Sequence, residues 1–473
     1  MTDLTLASLL EIAQELRERR ISALQLSELH LARIERLNPK LNAFVDVNPE
    51  RVRQQAREAD SALTAGREIG PLHGVPISIK SSIEVAGMKC EAGTRLRAGF
   101  LATHDAPLVE RLRRAGAVIL GVTNTPELLM AWETDNLLYG RTNSPWDPDR
   151  TPGGSSGGES AAIASGMSAG GVGSDGGGSI RIPAHFSGIC GLKPTPGRIP
   201  STGHFPPSGG PFALLGVVGP MARTVADLKI LFEVMQGPDD GDTCAAPVPL
   251  RWPKDHELKR LRIGYFEDDG RTPVDPEIRK AVRTAAEALN RAGFQVEPFR
   301  PQGLEEARLL WKIFFVKTGG MLISPMFAGR EQDAGPILKQ FLEWSAAEPN
   351  LSGQAVIDAW IRRDTLRANF LEQMRKYPIL LCPPAAIPAF RHGERNWTID
   401  GKTVEYFDAW SYTEWFNLLG NPAAVIPVSQ STQGLPIGVQ IVGRPWEEEQ
   451  VLSVASVLEK ELGPGKRPPI QKS

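Results

Sequence analysis

Two glycine- and serine-rich stretches decide the fold of this chain: PGGSSGGES at residues 152–160 and GSDGGGSIRIP at residues 173–183. They place Ser155 and Ser179 among glycines, whose missing side chain permits close backbone approach and positive φ. A flexible linker has a similar composition. However, apolar residues interrupt the region, and well-patterned sequence lies on both sides of it. We therefore interpret it as backbone that serves a function.

One alternative for this region is a dinucleotide-binding turn, because the segment from Gly171 to Gly176 matches G-x-G-x-x-G. Such a site needs a following helix and an acidic residue about 20 positions further on. No Asp or Glu lies between Gly176 and Ala226, and Pro183 opposes an early helix. The sequence therefore argues against a bound dinucleotide.

A second alternative is the nucleophile elbow of α/β-hydrolases, because the segment from Gly153 to Gly157 matches G-x-S-x-G. That fold needs an acidic residue and then a histidine downstream. His256 and His392 are available, but neither lies in an informative local motif. An esterase that uses Ser155 with a histidine therefore stays open as an alternative.

Taken together, the two stretches resemble the amidase signature family. The spacing of the two serines, the IRIP that follows the second serine and the GLKPT at residues 191–195 all follow the family pattern. Further similarity lies in HGVPISIK at 73–80, GPMARTVAD at 219–227, GNPA at 420–423 and LPIGVQIVGRP at 435–445. The resemblance thus covers nearly the whole chain.

This resemblance implies an α/β fold with a central twisted mixed β-sheet flanked on both faces by α-helices. Short apolar runs agree, because they read as buried strands separated by helical stretches. These runs lie at residues 117–122, 261–266, 379–381, 424–428 and 437–442. We expect one domain over residues 1–473, with N-terminal helices at 1–60, a core that carries the site at 70–230 and a variable substrate-binding region from about 300 to 415.

The resemblance also assigns the catalytic roles. Ser179 would be the nucleophile, and Ser155, which would follow a cis peptide bond from Gly154, would relay its proton to Lys80. A serine hydroxyl needs such a base, and a lysine can serve when burial keeps it neutral. Apolar residues surround Lys80 in the sequence, which favours burial over an exposed cation. The resulting amide hydrolysis proceeds through an acyl-enzyme and requires no metal or cofactor.

The loop before Ser179 would supply the remaining parts of the site. By resemblance, its backbone amides form the oxyanion hole, which stabilises the negative charge of the tetrahedral intermediate. The residues concerned are Gly176, Gly177 and Gly178, with Asp175 and Arg181 bracing the loop. Gly176 departs from the family pattern, because relatives often carry a larger residue there.

The substrate is less well indicated than the reaction. Four candidate substrate-binding residues flank motifs that approach the site in relatives: Met130, Trp132, Trp410 and Trp415. In a pocket they would favour aryl or alkyl amides, with carbamates and esters as further acyl donors, but core packing explains them equally well. A glutaminase-type component of an amidotransferase complex is another alternative, although no partner-binding extension is evident.

Composition indicates a near-neutral soluble enzyme. The chain has 473 residues and a net charge of -2, which gives no reason to expect nucleic acid as a partner. Its four cysteines lack the spacing of a metal site. Neither a signal peptide nor a membrane-spanning segment is evident. We therefore expect a cytoplasmic protein with a small-molecule substrate and, by resemblance, a homodimer.

Overall fold

The structure is a computed structural model that describes residues 3–207, 209–463 and 465–472. Its strands are β1 Phe44–Val47, β2 Pro76–Lys80, β3 Val118–Thr123, β4 Gly170–Asp175, β5 Cys190–Lys193, β6 Val217–Ala222, β7 Arg262–Tyr265, β8 Gln295–Pro298, β9 Ile379–Cys382, β10 Asn396–Ile399, β11 Lys402–Glu405, β12 Ala423–Gln430 and β13 Pro436–Val442.

The α-helices are α1 Leu9–Arg17, α2 Ala23–Leu41, α3 Pro49–Thr64, α4 Pro107–Arg114, α5 Gly157–Ala164, α6 Arg181–Ser187, α7 Phe212–Leu215, α8 Val225–Met235, α9 Asp255–Leu258, α10 Pro276–Arg291, α11 Leu304–Trp311, α12 Thr318–Ile323, α13 Pro336–Ala347, α14 Gly353–Gln373, α15 Ser411–Leu418 and α16 Glu448–Leu462. A π-helix at Lys312–Lys317 joins α11 to α12.

Eleven strands form one mixed sheet in the order β1-β3-β2-β4-β6-β5-β12-β13-β9-β7-β8, and β10 pairs with β11 separately. β2 runs parallel to β3 and β4, whereas β4, β6, β5, β12, β13 and β9 pair antiparallel in turn. This sheet confirms the α/β class expected from the sequence.

Helices cover both faces of the sheet. On one face α16 contacts α8 and α10, and all three pack on its central strands. On the other face α5 and α6 contact each other, with α5 packed on β2 and β4 and α6 on β5, β12 and β13. None of the helices within the described residues is both long and apolar enough to cross a membrane.

The apolar runs predicted as strands are all strands in the structure. Ser22 caps α2, because its side chain accepts a hydrogen bond from the backbone amide of Gln25. The apolar runs left out several strands, among them β1, which lies within the expected N-terminal helices, and β4, in which three of the six residues are glycine. Glycine has a low propensity for strands. β4 forms nevertheless, because it pairs with β2 on one side and with β6 on the other.

Candidate active site

The site forms where β2 and β4 end at the same edge of the sheet. These strands are parallel neighbours, with Ser78 opposite Gly171 and Ile79 opposite Val172. Lys80 is the last residue of β2, and Asp175 is the last residue of β4. The parallel register therefore brings a lysine and the beginning of the triple-glycine loop together.

Lys80 is fully buried and donates hydrogen bonds to hydroxyl groups. Its Nζ lies 2.6 Å from Ser155 Oγ. It also lies 3.0 Å from Ser156 Oγ and 3.0 Å from Ser174 Oγ. No carboxylate bonds directly to Nζ among these contacts, so the amine is placed to exchange protons with hydroxyls rather than to form an ion pair.

Burial decides the charge of this lysine. Removal from water lowers the pKa of Lys80 to about 7, although the charges of Asp175 and Glu159 act in the opposite direction. Glu159 is also fully buried, and burial raises its pKa to about 7 even though it accepts hydrogen bonds from Ser78 and Thr123. A substantial fraction of Lys80 is therefore neutral at neutral pH.

Ser155 lies just before α5, and its backbone is held on both sides. The peptide bond between Gly154 and Ser155 is cis, as the resemblance predicted. The hydroxyl of Thr125 donates to the carbonyl oxygen of Ser155 at 2.9 Å. Thr125 thus holds the backbone of Ser155, whose hydroxyl accepts the hydrogen bond from Lys80.

Ser179 lies in the loop between β4 and α6, with 8% of its surface exposed. Its carbonyl oxygen accepts a hydrogen bond from the backbone amide of Ser156 at 3.2 Å, which ties the two serine-bearing loops together. Both Ser155 and Ser179 line the same cavity. Among the described residues the two hydroxyls do not hydrogen-bond to each other directly, so only the Lys80–Ser155 half of the expected relay is formed.

A buried carboxylate organises the loop before Ser179. Asp175 accepts hydrogen bonds from the amides of Gly178 and Ile180 and from two nitrogens of Arg181. Burial alone would raise the pKa of Asp175, but the Arg181 guanidinium and these amides hold that pKa well below its usual range. Asn417, from α15, donates a further hydrogen bond to the same carboxylate at 3.0 Å.

Asp175 leaves fewer backbone amides of the glycine loop free to bind an oxyanion. The amide of Gly178 is occupied by Asp175 Oδ1 at 2.7 Å. Within the described part of the chain, the amides of Gly176, Gly177 and Ser179 have no protein acceptor. These three are the free backbone donors beside Ser179, whereas the Gly178 amide that we expected in the oxyanion hole is already bonded to Asp175.

The cavity in front of the serines has a volume of about 400 Å³ and is mostly apolar. Its wall includes Met130 as predicted, together with Phe205, Phe212 and Phe315. A charged group at this wall is Asp175, which is neutralised by Arg181. The arrangement can receive a neutral, largely apolar acyl group next to Ser179.

The predicted tryptophans are placed differently from Met130. Trp132 is 6% exposed, reaches only a narrow pocket beside Ser179 and donates its indole N–H to Gly177. Trp410 is fully buried and stacks on Trp132, and Trp415 is buried against Phe266. Neither Trp410 nor Trp415 lines the cavity, so core packing describes them.

Sequence reasoning expected a substrate-binding region from about 300 to 415 but named none of the wall residues that come from the π-helix and α12. These residues are Phe315, Gly319, Leu322 and Ile323. It also missed the two hydroxyls, from Ser156 and Ser174, that surround the amine of Lys80. Both serines lie within the quoted stretches. However, their distance from Lys80 depends on the pairing of strands and not on a local pattern.

The structure offers no support for the histidine-dependent alternative. All seven histidines are described, and none hydrogen-bonds to Ser155 or Ser179. His204 lines the cavity, but its ring bonds to Pro206 and Ser82. Within residues 3–207, 209–463 and 465–472, no three His, Cys, Asp or Glu side chains cluster in a way that could hold a metal ion.

Comparison with known proteins agrees with this geometry. The chain matches the Amidase family over residues 25–452. It is 34% identical over 468 residues to an indoleacetamide hydrolase of Bradyrhizobium diazoefficiens, covering 96% of this chain and 86% of that one. It is 33% identical over 503 residues to a component of the glutamyl-tRNA(Gln) amidotransferase of Bdellovibrio bacteriovorus, covering 98% and 99%. A solved bacterial aryl acylamidase of the amidase signature family superposes with a TM-score of 0.85 at 25% identity, covering 96% of each chain.

The chain therefore belongs to the Amidase family, whose members are the amidase signature enzymes. It is a hydrolase that acts on C–N amide bonds. The resemblance drawn from its glycine- and serine-rich motifs is thus confirmed. The roles of individual residues stay predictions.

The buried Asp175–Arg181 pair predicts a large effect of one substitution. Asp175→Asn leaves the guanidinium buried without a countercharge, so we expect a loss of about 3–5 kcal/mol in the free energy of unfolding. Chemical denaturation measures it. Asp364→Asn is the matched control, because Asp364 pairs with Arg363 but its side chain is 70% exposed; its loss should stay below about 1 kcal/mol. Equal losses for the two variants would contradict the role of the buried pair.

Proposed function

We propose that the chain hydrolyses neutral amides with an apolar aryl or alkyl acyl group, through an acyl-enzyme on Ser179. The observation that carries this proposal is the 2.6 Å hydrogen bond from the buried amine of Lys80 to Ser155, beside Ser179 and at the end of an apolar cavity. An activated serine, an acyl-binding cavity and free backbone amides are the parts that acyl transfer requires.

The proposed reaction begins with neutral Lys80 as the base. Lys80 takes the proton of Ser155 as Ser155 takes the proton of Ser179, and Ser179 Oγ attacks the amide carbon. The amides of the glycine loop stabilise the oxyanion. The protons return along the same path to the leaving amine, whose C–N bond breaks. Water then releases the acid by the reverse sequence.

The wall of the cavity supports the choice of acyl group. The wall from the π-helix, α12 and the short 3-10 helix Ser324–Phe327 that follows carries Phe315, Leu322 and Met326, all apolar. A charged acyl group would lose its hydration there without gaining a partner. Similarity to an indoleacetamide hydrolase agrees, because that amide carries an aromatic ring. Esters of the same acids would enter by the same route, since the same acyl-enzyme forms, whereas a carbamate would leave a carbamoyl or alkoxycarbonyl group on Ser179.

The glutaminase alternative receives less support from this cavity. Glutamine carries an ammonium and a carboxylate on its α-carbon, and each would need a charged or hydrogen-bonding partner. The titratable groups Asp175 and Lys80, which lie close to the wall, already hydrogen-bond within the protein. Similarity to amidotransferase components therefore indicates shared fold and chemistry rather than shared substrate.

The first prediction tests the nucleophile and its base. A fluorophosphonate, which reacts with activated serines, should label Ser179, and peptide mass spectrometry locates the label. Lys80→Met should reduce the labelling rate by at least about 100-fold, because general base catalysis contributes about 10²–10⁴-fold. Labelling at Ser155 would contradict the assignment.

Lys193→Met is the matched control for this experiment. Lys193 is also fully buried, and burial lowers its pKa to about 7, but its Nζ bonds to the carbonyl oxygen of Pro194 rather than to a serine. Its replacement should leave labelling of Ser179 nearly unchanged. An equal loss in both lysine variants would mean that any buried lysine supports the fold.

The second prediction concerns pH. Because the neutral amine is the base and burial lowers the pKa of Lys80 to about 7, the rate of Ser179 acylation should rise as pH increases through that value. Glu159 also titrates near 7, so the profile should be repeated with Glu159→Gln. A rise that persists in this variant assigns it to Lys80. A flat profile across neutral pH would contradict the proposal.

The third prediction concerns the acyl chain. Along a series of p-nitroanilides from acetyl to hexanoyl, kcat/KM should increase about fourfold per methylene, because each buried CH₂ contributes about 0.8 kcal/mol. Glutamine itself should be a poor substrate, and so should the p-nitroanilide formed on the γ-carboxyl group of glutamate. Preferred hydrolysis of glutamine, measured as released ammonia, would support the amidotransferase-type alternative instead.

A further inference from the structure

The carbonyl groups of the triple-glycine loop are held by two tryptophans. Trp311 Nε1 donates to the carbonyl oxygen of Gly176 at 3.0 Å. Trp132 Nε1 donates to the carbonyl oxygen of Gly177 at 2.8 Å. The hydroxyl of Thr413 reaches the same Gly177 oxygen at 3.0 Å. The indoles come from α11 and from the segment after β3, so two distant parts of the chain meet at this loop.

We propose that Trp311 and Trp132 are positioning residues that aim the oxyanion donors of the loop, with Trp311 fixing the amide of Gly177. This inference rests on the proposed acyl-enzyme on Ser179. Among the described residues the two indoles hydrogen-bond to neither Ser179 nor Lys80, and they act through the backbone that receives the negative charge.

The planarity of the peptide bond carries the argument. In a trans peptide the C=O of one residue and the N–H of the next lie in one plane and point in opposite directions. A hydrogen bond from Trp311 to the Gly176 oxygen therefore fixes the direction of the Gly177 N–H. That N–H has no protein acceptor among the described residues and is free to bind an oxyanion.

The next peptide plane is clamped at both ends. Trp132 and Thr413 hold the Gly177 oxygen, and Asp175 accepts the N–H of Gly178. The peptide plane between Gly177 and Gly178 is therefore rigid, and Trp311 holds the plane between Gly176 and Gly177. Glycine has more backbone freedom than any other residue, so three in succession keep one geometry only when the surrounding groups impose it.

Packing agrees with this role. A Cβ on Gly176 would lie 2.8 Å from Phe315, and a Cβ on Gly177 would lie 2.6 Å from Trp311. The Trp311 and Phe315 rings stack with centroids 4.6 Å apart. The two rings thus occupy the space that side chains at positions 176 and 177 would otherwise take.

Two neighbouring buried indoles make no such hydrogen bond. Trp410 and Trp415 are buried in the same hydrophobic core, and their indole nitrogens have no hydrogen-bond partner among the described residues. Trp410 even stacks directly on Trp132. Burial in this core therefore does not by itself pair an indole N–H, and Trp132 and Trp311 differ from Trp410 and Trp415 in reaching the loop carbonyls.

The test removes the N–H and keeps an aromatic ring. In Trp311→Phe, hydrolysis of p-nitrophenyl hexanoate should show a kcat about 10- to 100-fold lower with KM changed less than about twofold, because misdirected donors weaken only the transition state. Trp132→Phe should show the same split. Melting temperatures report the folding of each variant.

Trp344→Phe is the matched control. Trp344 packs on Phe407 in the same aromatic cluster, and Phe407 in turn packs on Trp311, but in the described part of the chain the Trp344 indole does not bond to the loop. This variant should keep the wild-type kcat. If Trp311→Phe folds poorly, 3-benzothienylalanine at position 311 replaces only the N–H by sulfur and should give the same loss of kcat.

A second readout separates oxyanion binding from general damage. Sulfur is a weak hydrogen-bond acceptor, so the wild-type protein should prefer the ester over the matching thionoester. Trp311→Phe should reduce this preference, whereas Trp344→Phe should not. An unchanged preference, a rise of KM alone, or wild-type kcat in Trp311→Phe would overturn the inference. If the wild-type protein neither hydrolyses these esters nor labels at Ser179, the proposed function fails and the inference fails with it.

Discussion

The buried carboxylate of Asp175 is the contact on which the rest of the site depends. It accepts hydrogen bonds from backbone amides of the loop after β4, from the guanidinium of Arg181 at the start of α6, and from the side-chain amide of Asn417 on α15. Arg181 in turn reaches Gln440 on β13 at 2.7 Å. A single anion thus joins four separate elements of the chain around the triple-glycine loop. A buried charge is stable only when it is fully paired, so none of these partners is dispensable.

Much of the fold and the position of the site could be predicted from the sequence. The strands in apolar runs were predictable because burial on both faces leaves a continuous apolar pattern. Lys80, Ser155 and Ser179 were found because local motifs mark them and because the family resemblance assigns their roles. The structure brings Lys80 and Ser155 into contact and puts both serines at one cavity, although the catalytic roles themselves stay predictions.

The remaining features depend on contacts that no local pattern records. Trp311 and Gly176 are 135 positions apart, and nothing near either residue indicates that they bond. Trp132 and Trp410 look alike in sequence, but only Trp132 reaches the loop. An aromatic residue has the same pattern in a core as in a pocket, because both remove it from water. The engagement of the Gly178 amide by Asp175 likewise becomes visible only when the loop closes on itself.

The apolar wall of the cavity bears on how the reaction ends. Hydrolysis of a neutral acyl compound would leave a carboxylic acid, which ionises at neutral pH, in surroundings that supply no countercharge. The carboxylate of Asp175 at the same wall is already paired with Arg181, so Arg181 supplies no free countercharge. Leu322, which borders the cavity, is 55% exposed, so bulk water lies close to this wall. Under the proposed function, the cavity would therefore bind the uncharged reactant more tightly than the carboxylate formed from it. The product would dissociate readily, and the acid would bind too weakly to be converted back into the amide.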